Sequence, residues 1–191
     1  MVYTFLDFET TGLDLEKDQI TEVGIIKTDF ENIYEELNFF VRLEDGRILT
    51  DFIKNLTGIT EKHLLDGKPI SDSKSIIKDF IKDTILVAQF ASFDIGFIKE
   101  IEIPQFYCTR TLSCVVYPNE NHSLGPMCTK LGIKTEVAHR ALSDCEMTKR
   151  LFKFYLDLLG ENEINKYINV IAQTKKRPLR YIPKNAKIID L

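Results

Sequence analysis

Apolar and polar residues near the N-terminus alternate in the manner of β-strands. We predict strands over residues 2–7, 20–29 and 33–42, each rich in Ile, Val, Phe or Tyr and bounded by turn-forming residues. Residues 29–32 are few enough for a hairpin connection, so the second and third strands should pair antiparallel.

From residue 50 onwards the pattern becomes helical. Thr60 and Ser71 are predicted helix N-caps, and the apolar positions 76, 77, 80 and 81 form a stripe suited to a helix that docks on a sheet. The continuous apolar run 85–88 is typical of a strand buried on both faces. The remaining predicted elements are a helix from Ser92 to about residue 102, a short strand over 106–109, and helices over 110–116, 123–131 and 140–159. Strands followed by alternating strands and helices indicate an α/β fold, a mixed sheet flanked by helices.

Composition and charge narrow the class of protein. With 191 residues, 44% hydrophobic and 28% charged, the chain is an ordinary globular protein rather than a collagenous, disulfide-rich or wholly disordered one. We predict one domain over residues 1–160 and a basic appendage, a helix plus tail, over 161–191. The net charge is −4, but the appendage carries +4 and the domain −8. An acidic domain repels a phosphate polymer, so cations must assist any binding of nucleic acid.

The chain carries no sign of secretion or of a membrane span. Its four cysteines form no C-x-x-C pair, and Asp7 and Glu9 lie where a signal peptide would need an apolar core. No apolar run approaches the roughly 18 residues of a membrane span. We therefore expect a cytoplasmic protein with reduced thiols and no membrane partner.

Four carboxylates lie where core residues are expected. In the first strand, alternation places Asp7 and Glu9 on the face that also carries Tyr3 and Phe5. Asp94 falls in the first turn of a helix, and Asp144 lies at the edge of the core-facing stripe of the long helix. Taken singly, these acids are explained by a solvated strand end, by the helix dipole or by helix amphipathicity. Buried carboxylates, however, need a cation partner.

Taken together, the four acids favour a metal site. Mg²⁺ and Mn²⁺ prefer oxygen ligands, whereas the cysteine spacing gives zinc no support. Two such ions about 4 Å apart can clamp a displacement at phosphorus. His139, five residues before Asp144, is predicted to project from the helix entry into the same cleft. Its unperturbed pKa of about 6.5 suits removal of a proton from water.

At these residues the sequence resembles the DEDDh family of 3′-to-5′ exonucleases, which includes the proofreading epsilon subunit of bacterial DNA polymerase III. The likeness covers about residues 1–159. Its three motifs correspond to residues 5–13, 87–94 and 139–144, with further similarity at 20–24 and 56–60. The resemblance implies an RNase H-like fold, in which a five-stranded mixed sheet has the strand order 3-2-1-4-5.

The resemblance also implies roles for individual residues. Four acids would bind two divalent cations, Mg²⁺ or Mn²⁺, namely Asp7, Glu9, Asp94 and Asp144. His139 would be the catalytic base. The terminal nucleotide would be held by Thr10, Thr11, Gly12 and Leu13, with Phe93 packed on it. One departure is Gln89-Phe90, where the family usually has His-Asn; we expect this change to alter support for the site or the groove wall rather than the metals.

The resulting function is a metal-dependent exonuclease that releases nucleoside 5′-monophosphates from DNA 3′ ends in proofreading or repair. Its expected substrates are single-stranded or frayed 3′ ends, with a DNA polymerase as candidate partner. Two alternatives stay open: an exoribonuclease of the same family, and a noncatalytic nucleic-acid-binding or polymerase-binding module. For residues 161–191 the alternatives are a nucleic-acid arm, a docking segment, or a helix packed on its own domain with a solvated tail.

Overall fold

A five-stranded mixed sheet forms the centre of the molecule. The computed structural model describes residues 1–44, 46–135, 139–175 and 177–191. The strands are β1 (Tyr3–Thr10), β2 (Ile20–Thr28), β3 (Ile33–Phe40), β4 (Ile85–Ala88) and β5 (Phe106–Cys108). Their order is β3-β2-β1-β4-β5, with β1, β2 and β3 antiparallel and β1, β4 and β5 parallel. The predicted α/β class, hairpin and RNase H-like strand order are therefore confirmed.

Helices and a second, smaller sheet surround the central sheet. The helices are α1 (Asp51–Thr57), α2 (Glu61–Leu65), α3 (Ile70–Ile81), α4 (Ala91–Phe97), α5 (Thr109–Val116), α6 (Leu124–Lys130), α7 (Ala141–Leu159) and α8 (Glu161–Ile164), followed by a 3₁₀ turn (Asn165–Tyr167). The small sheet pairs β6 (Val170–Gln173) with β7 (Lys187–Asp190) in parallel. Within the described ranges, no helix is both long and apolar enough to cross a bilayer.

Alternation along β1 separates two apolar cores. Tyr3 and Phe5 pack with Phe152 and other side chains of α7 on one face of the sheet. Leu6 and Phe8 belong to the core on the opposite face, which also holds the apolar stripe of α3. Because side chains alternate along a strand, Asp7 and Glu9 extend the row that faces α7.

Gly24 allows α7 to lie directly against the sheet. In the β1–β2 register Gly24 is opposite Asp7. A Cβ atom at Gly24 would come within 2.3 Å of the backbone carbonyl carbon of Ala141, the first residue of α7. The Cys145 thiol also donates a hydrogen bond to the Gly24 carbonyl, at 3.0 Å. The absent side chain thus lets the first turn of α7 approach the strand that carries Asp7.

Three local predictions differ from the structure. The first strand continues to Thr10, so both of its acids lie in the sheet. Ser71 is not an N-cap, because α3 begins at Ile70 after the extended residue Pro69. The helix opened near Ser92 ends at Phe97 rather than near residue 102, and beyond it Ile98, Ile101 and Ile103 pack into the core.

The C-terminal segment is built differently from the predicted helix plus tail. Its helical turns end at Tyr167, and Ile171 lies in β6. Asn169 interrupts the helical pattern with a positive φ of 58°, a conformation that Asn tolerates better than most residues. Its side-chain oxygen accepts a hydrogen bond from the Phe106 amide at 2.8 Å. The segment is therefore joined to β5 of the central sheet.

Candidate active site

The acids singled out in the sequence come from three elements that meet at one edge of the sheet. Asp7 and Glu9 are in the second half of β1, Asp94 is in the first turn of α4, and Asp144 is in the first turn of α7. Ligand atoms of Glu9, His139 and Asp144 all lie within 4.8 Å of one another. Residues separated by more than 130 positions in the chain therefore face one small volume.

Burial and mutual repulsion raise the pKa of all four acids. For Asp7 the pKa is raised well above its ordinary value, first by burial and then by the charges of Asp94, Asp144 and Glu9. Burial, reinforced by Asp144 and Glu22, raises the pKa of Glu9 to about 8. A cluster in which like charges oppose each other's ionisation is an unstable arrangement for a protein without a cation.

The pKa values of the two acids on helices, Asp94 and Asp144, are also raised by burial, but neighbouring groups partly counteract the rise. Burial raises the pKa of Asp94 to about 7, although backbone amides and the charge of Arg177 act to lower it. Burial also raises the pKa of Asp144 to about 6, while His139 acts to lower it. Both carboxylates are thus poised to lose their protons to a bound cation near neutral pH.

The donor set fits a hard divalent cation. Oδ1 of Asp144 is buried and has no hydrogen-bond partner among the described residues. Across the same ranges, none of the four acids forms a salt bridge with Lys or Arg. Carboxylate oxygens are the ligands that Mg²⁺ and Mn²⁺ prefer. A cation would satisfy the unpaired oxygen and relieve the repulsion.

His139 lies at the entry to α7, as its position in the sequence predicts. Its side chain is exposed, and its backbone has a positive φ of 61°, which is uncommon for a residue with a side chain. The three residues before it, 136–138, lie outside the described ranges. Such a backbone conformation must be held in place by neighbouring interactions.

Glu22 provides such an interaction and is a site residue that sequence reasoning missed. It is fully buried on β2, opposite Glu9 in the strand register. Its carboxylate accepts hydrogen bonds from the guanidinium of Arg140 at 2.9 Å and from the side-chain amide of Asn38 at 2.9 Å. An acid inside a largely apolar predicted strand was the available signal.

The loop after β1 is held by a second missed residue, Asp18. Its carboxylate accepts hydrogen bonds from the Thr11 hydroxyl and the Asp14 amide, both at 2.8 Å. A Cβ atom at Gly12 would lie 2.4 Å from an Asp18 oxygen, so the loop closes only around glycine. The Thr10 hydroxyl donates to the Gly12 carbonyl at 2.6 Å.

The predicted nucleotide-contacting side chains differ in exposure. Thr10 and Thr11 are buried within the loop, whereas Leu13 is 56% exposed. Phe93 is partly buried and packs edge-on against Phe97, with ring centroids 5.1 Å apart. Leu13 is thus available to a ligand, while the threonines shape the loop that presents it.

Gln89 and Phe90, the departure from the family pattern, have structural contacts of their own. The Gln89 side chain donates to the His122 carbonyl at 3.0 Å and accepts from the Thr109 hydroxyl. The guanidinium groups of Arg110 and Arg177 both lie near the Phe90 ring. These contacts involve none of the four acids, and the effect of the change on the groove stays a prediction.

The sequence matches a known family over most of its length. A family model described as exonuclease matches residues 4–152. A PolC-type DNA polymerase III from Streptococcus pyogenes serotype M2 is 34% identical over 163 residues. That match covers 81% of this chain but 11% of the polymerase, so the chain corresponds to a small part of its relative.

Solved structures share the fold. Exonuclease X in complex with 5′-overhanging duplex DNA superposes with a TM-score of 0.71 at 24% identity, covering 86% of this chain and 97% of the other. The nuclease domain of 3′hExo, a DEDDh family member bound to rAMP, gives a TM-score of 0.69 at 21% identity, covering 82% and 92%. These likenesses establish the common architecture around the acidic edge of the sheet.

Proposed function

Because the chain belongs to the exonuclease family matched over residues 4–152, we propose that it is a divalent-metal-dependent 3′-to-5′ exonuclease. It would release nucleoside 5′-monophosphates from DNA 3′ ends. The observation that carries this proposal is the convergence of Glu9, His139 and Asp144 within 4.8 Å, beside the coupled carboxylates of Asp7 and Asp94.

The four acids would hold two divalent cations, Mg²⁺ or Mn²⁺. When bound, such cations supply Lewis-acid charge that promotes attack of water on phosphorus and stabilises the leaving oxygen. Asp94, 3% exposed, and Glu9, 8% exposed, would anchor the ions away from bulk water. Asp7 on β1 and Asp144 on α7 would supply the other carboxylate ligands.

His139 would accept the proton of the attacking water at an imidazole nitrogen. Its side chain is exposed to the cleft while its backbone is fixed next to α7, so it can exchange protons with solvent between turnovers.

The loop after β1 would position the end of the strand. The Asp18 and Thr10 hydrogen bonds fix the loop, and the exposed Leu13 offers an apolar surface to the terminal base. Phe93 would pack on the same nucleotide. Since neither contact reads the 2′-hydroxyl, the choice between DNA and RNA rests on the PolC-type relative, which favours DNA.

The proposed setting is DNA replication or repair in the cytoplasm. The substrate would be a single-stranded or frayed 3′ end, because a base that contacts Leu13 must be unpaired. The PolC-type relative also makes a DNA polymerase the partner to test.

Digestion of end-labelled oligonucleotides tests the proposal. Purified protein with Mg²⁺ should shorten a 5′-labelled single strand stepwise, with nucleoside 5′-monophosphates as the only small products. Asp7→Asn should abolish the ladder, whereas Asp72→Asn, a matched change of an exposed acid on α3, should not. Matched DNA and RNA strands separate the deoxyribonuclease from the exoribonuclease.

Two results would overturn the assignment. Survival of both DNA and RNA at stoichiometric enzyme, with binding retained, would favour a noncatalytic binding module. Immediate release of the 5′ label as a mononucleotide, without a ladder of intermediates, would exclude the proposed direction.

A further inference from the structure

Residues 170–175 and 177–181 of the C-terminal segment 161–191 pack against α5 and α4, and they place Arg177 over Phe90, four residues before Asp94. This segment lies beyond the residues matched by the exonuclease family. We propose that Arg177, held over Phe90, forms a phosphate-binding subsite for the nucleic-acid backbone beside the metal acids. The inference deepens the proposed function and rests on it.

Contacts on both sides of Arg177 fix the segment to the catalytic domain. Before it, the Thr174 hydroxyl accepts a hydrogen bond from the Arg110 guanidinium at 3.3 Å, and the Ala172 amide donates to the Thr111 hydroxyl at 2.9 Å. After it, the hydroxyl of Ser92 on α4 accepts hydrogen bonds from the Arg180 and Tyr181 amides at 2.8 and 3.0 Å.

All the hydrogen bonds that the Ser92 hydroxyl forms among the described residues are made with the C-terminal segment. Ser92 is fully buried, and its hydroxyl also donates to the Tyr181 carbonyl at 2.7 Å. A Cβ atom at Gly96, one turn further along α4, would come within 3.0 Å of the Tyr181 Cβ, which shows how closely the segment packs. The helix that carries Asp94 therefore also positions the C-terminal segment.

The resulting arrangement presents two guanidinium groups on one aromatic ring. Cζ of Arg177 lies 4.6 Å from the centroid of the Phe90 ring, and Cζ of Arg110 lies 5.5 Å from it. Phe90 is the residue immediately before α4, four positions before Asp94. Neither arginine forms a salt bridge with a carboxylate in the part of the chain that the structure describes.

The two arginines have different surroundings. Arg110 is 6% exposed and is bonded to Thr174 and to the Cys114 sulfur, so it supports the ring from within. Arg177 is exposed, its guanidinium lies over the Phe90 ring, and its side chain forms no hydrogen bond within the described residues, so its N–H groups are available to a ligand. Open, coplanar N–H groups match the oxygens of a phosphate.

The positive charge of Arg177 acts on the metal-binding acids, but Arg177 forms no salt bridge with them among the described residues. It acts to lower the pKa of Asp94, yet the two groups are too far apart for a salt bridge. A strand whose terminal phosphodiester lies at the acids would therefore pass a backbone phosphate near Arg177. Such a contact offsets the negative charge of the catalytic domain, which otherwise repels the substrate.

Arg177→Gln is the decisive variant, and Lys187→Gln is its control. Lys187 is exposed on β7, in the same C-terminal segment, and its substitution removes the same charge. Binding of 5′-labelled single strands is measured by fluorescence anisotropy in EDTA over a range of salt concentrations, and digestion is measured in Mg²⁺.

Arg177→Gln should weaken binding about tenfold and make the slope of log K against log salt shallower by about 0.7, the value for one lost phosphate contact on a single strand. The loss in digestion should fall on KM more than on kcat. The affinities for matched DNA and RNA strands should fall by equal factors, because the phosphate is common to both. Arg177→Lys keeps the charge but loses the planar guanidinium, so its binding affinity should fall about threefold.

Unchanged affinity and salt slope in Arg177→Gln would overturn the subsite, as would an equal loss in Lys187→Gln. Failure of the wild-type protein to digest any strand would overturn the proposed function instead. Because anisotropy needs no turnover, it still decides the subsite in that case.

Discussion

The buried carboxylate of Glu22 on β2 binds the guanidinium of Arg140 through three hydrogen bonds of 2.9, 3.1 and 3.3 Å. Arg140 immediately follows His139 and immediately precedes α7. The pair therefore ties the residue proposed as the base to a rigid central strand. The position of His139 at the cleft depends on this ion pair. A displacement of a catalytic group by about 1 Å can lower the rate a hundredfold.

Arg140→Ala should lower kcat roughly tenfold or more by releasing His139. It should also destabilise the fold by about 2 kcal/mol, because a buried carboxylate loses its partner; the loss is moderated by solvent, since Arg140 is 41% exposed. Kinetics and thermal unfolding measure the two effects. Arg42→Ala, a change of an exposed arginine, should leave both at wild-type levels. A wild-type kcat in Arg140→Ala would show that His139 is positioned by other contacts.

His139→Ala should lower kcat by about 10²- to 10⁴-fold, the usual contribution of a general base. Calorimetric titration with Mn²⁺ should give nearly wild-type affinity if His139 acts on the water proton. Asp7→Ala should weaken both activity and Mn²⁺ binding. His139 also lies within ligand distance of Glu9 and Asp144, so a large loss of Mn²⁺ affinity in His139→Ala would make it a ligand rather than a base.

The metal-free protein should lose stability as pH rises. Folding raises the pKa of Glu9 from 4.5 to about 8 and that of Asp94 from 3.8 to about 7. Between those values the folded state binds more protons than the unfolded state, so the free energy of unfolding falls with increasing pH. Below about pH 4 the acids are protonated in both the folded and the unfolded state, so they no longer lower the free energy of unfolding.

Thermal unfolding in EDTA between pH 4 and 8 measures this dependence. Mn²⁺ should raise the melting temperature more at pH 8 than at pH 5.5, because it replaces protons on the same oxygens. Asp7→Asn should flatten the EDTA profile and reduce the effect of Mn²⁺. A melting temperature that rises steadily with pH in EDTA would contradict the coupled cluster.

Gly24→Ala should both destabilise and inactivate the protein. The added Cβ would meet backbone atoms of Ala141 and Leu142 at 2.3 and 2.4 Å, and backbone cannot move aside without shifting α7. We expect a loss of about 2–3 kcal/mol together with displacement of Asp144.

Gly125→Ala is the matched control for this change. A Cβ there meets nothing within 4 Å, and its φ is not in the left-handed region, so alanine should be neutral or slightly stabilising in α6. Denaturant unfolding and nuclease assays compare the two variants. Equal stability of Gly24→Ala and wild type would show that α7 is not held against β2 by this contact.

The sequence by itself determined the central architecture and the chemical class of the site. The apolar run 85–88 and the alternation along β1 are local patterns that depend on the spacing of side chains along the chain. The same alternation placed Asp7 and Glu9 on one face, and helical periodicity aimed Asp144 at the sheet. These signals are readable because strand and helix periods act over a few residues.

Tertiary structure decided which distant groups meet. The Glu22–Arg140 pair joins positions 118 apart, and no local pattern specifies such a contact. Likewise, the strand β6 follows a stretch with helical spacing, because Asn169 adopts a left-handed conformation and bonds to β5. The place of Arg177 over Phe90 is fixed by two hydrogen bonds of its neighbours, from Arg110 to the Thr174 hydroxyl and from the Arg180 amide to the Ser92 hydroxyl, which only packing of the C-terminal segment brings within reach.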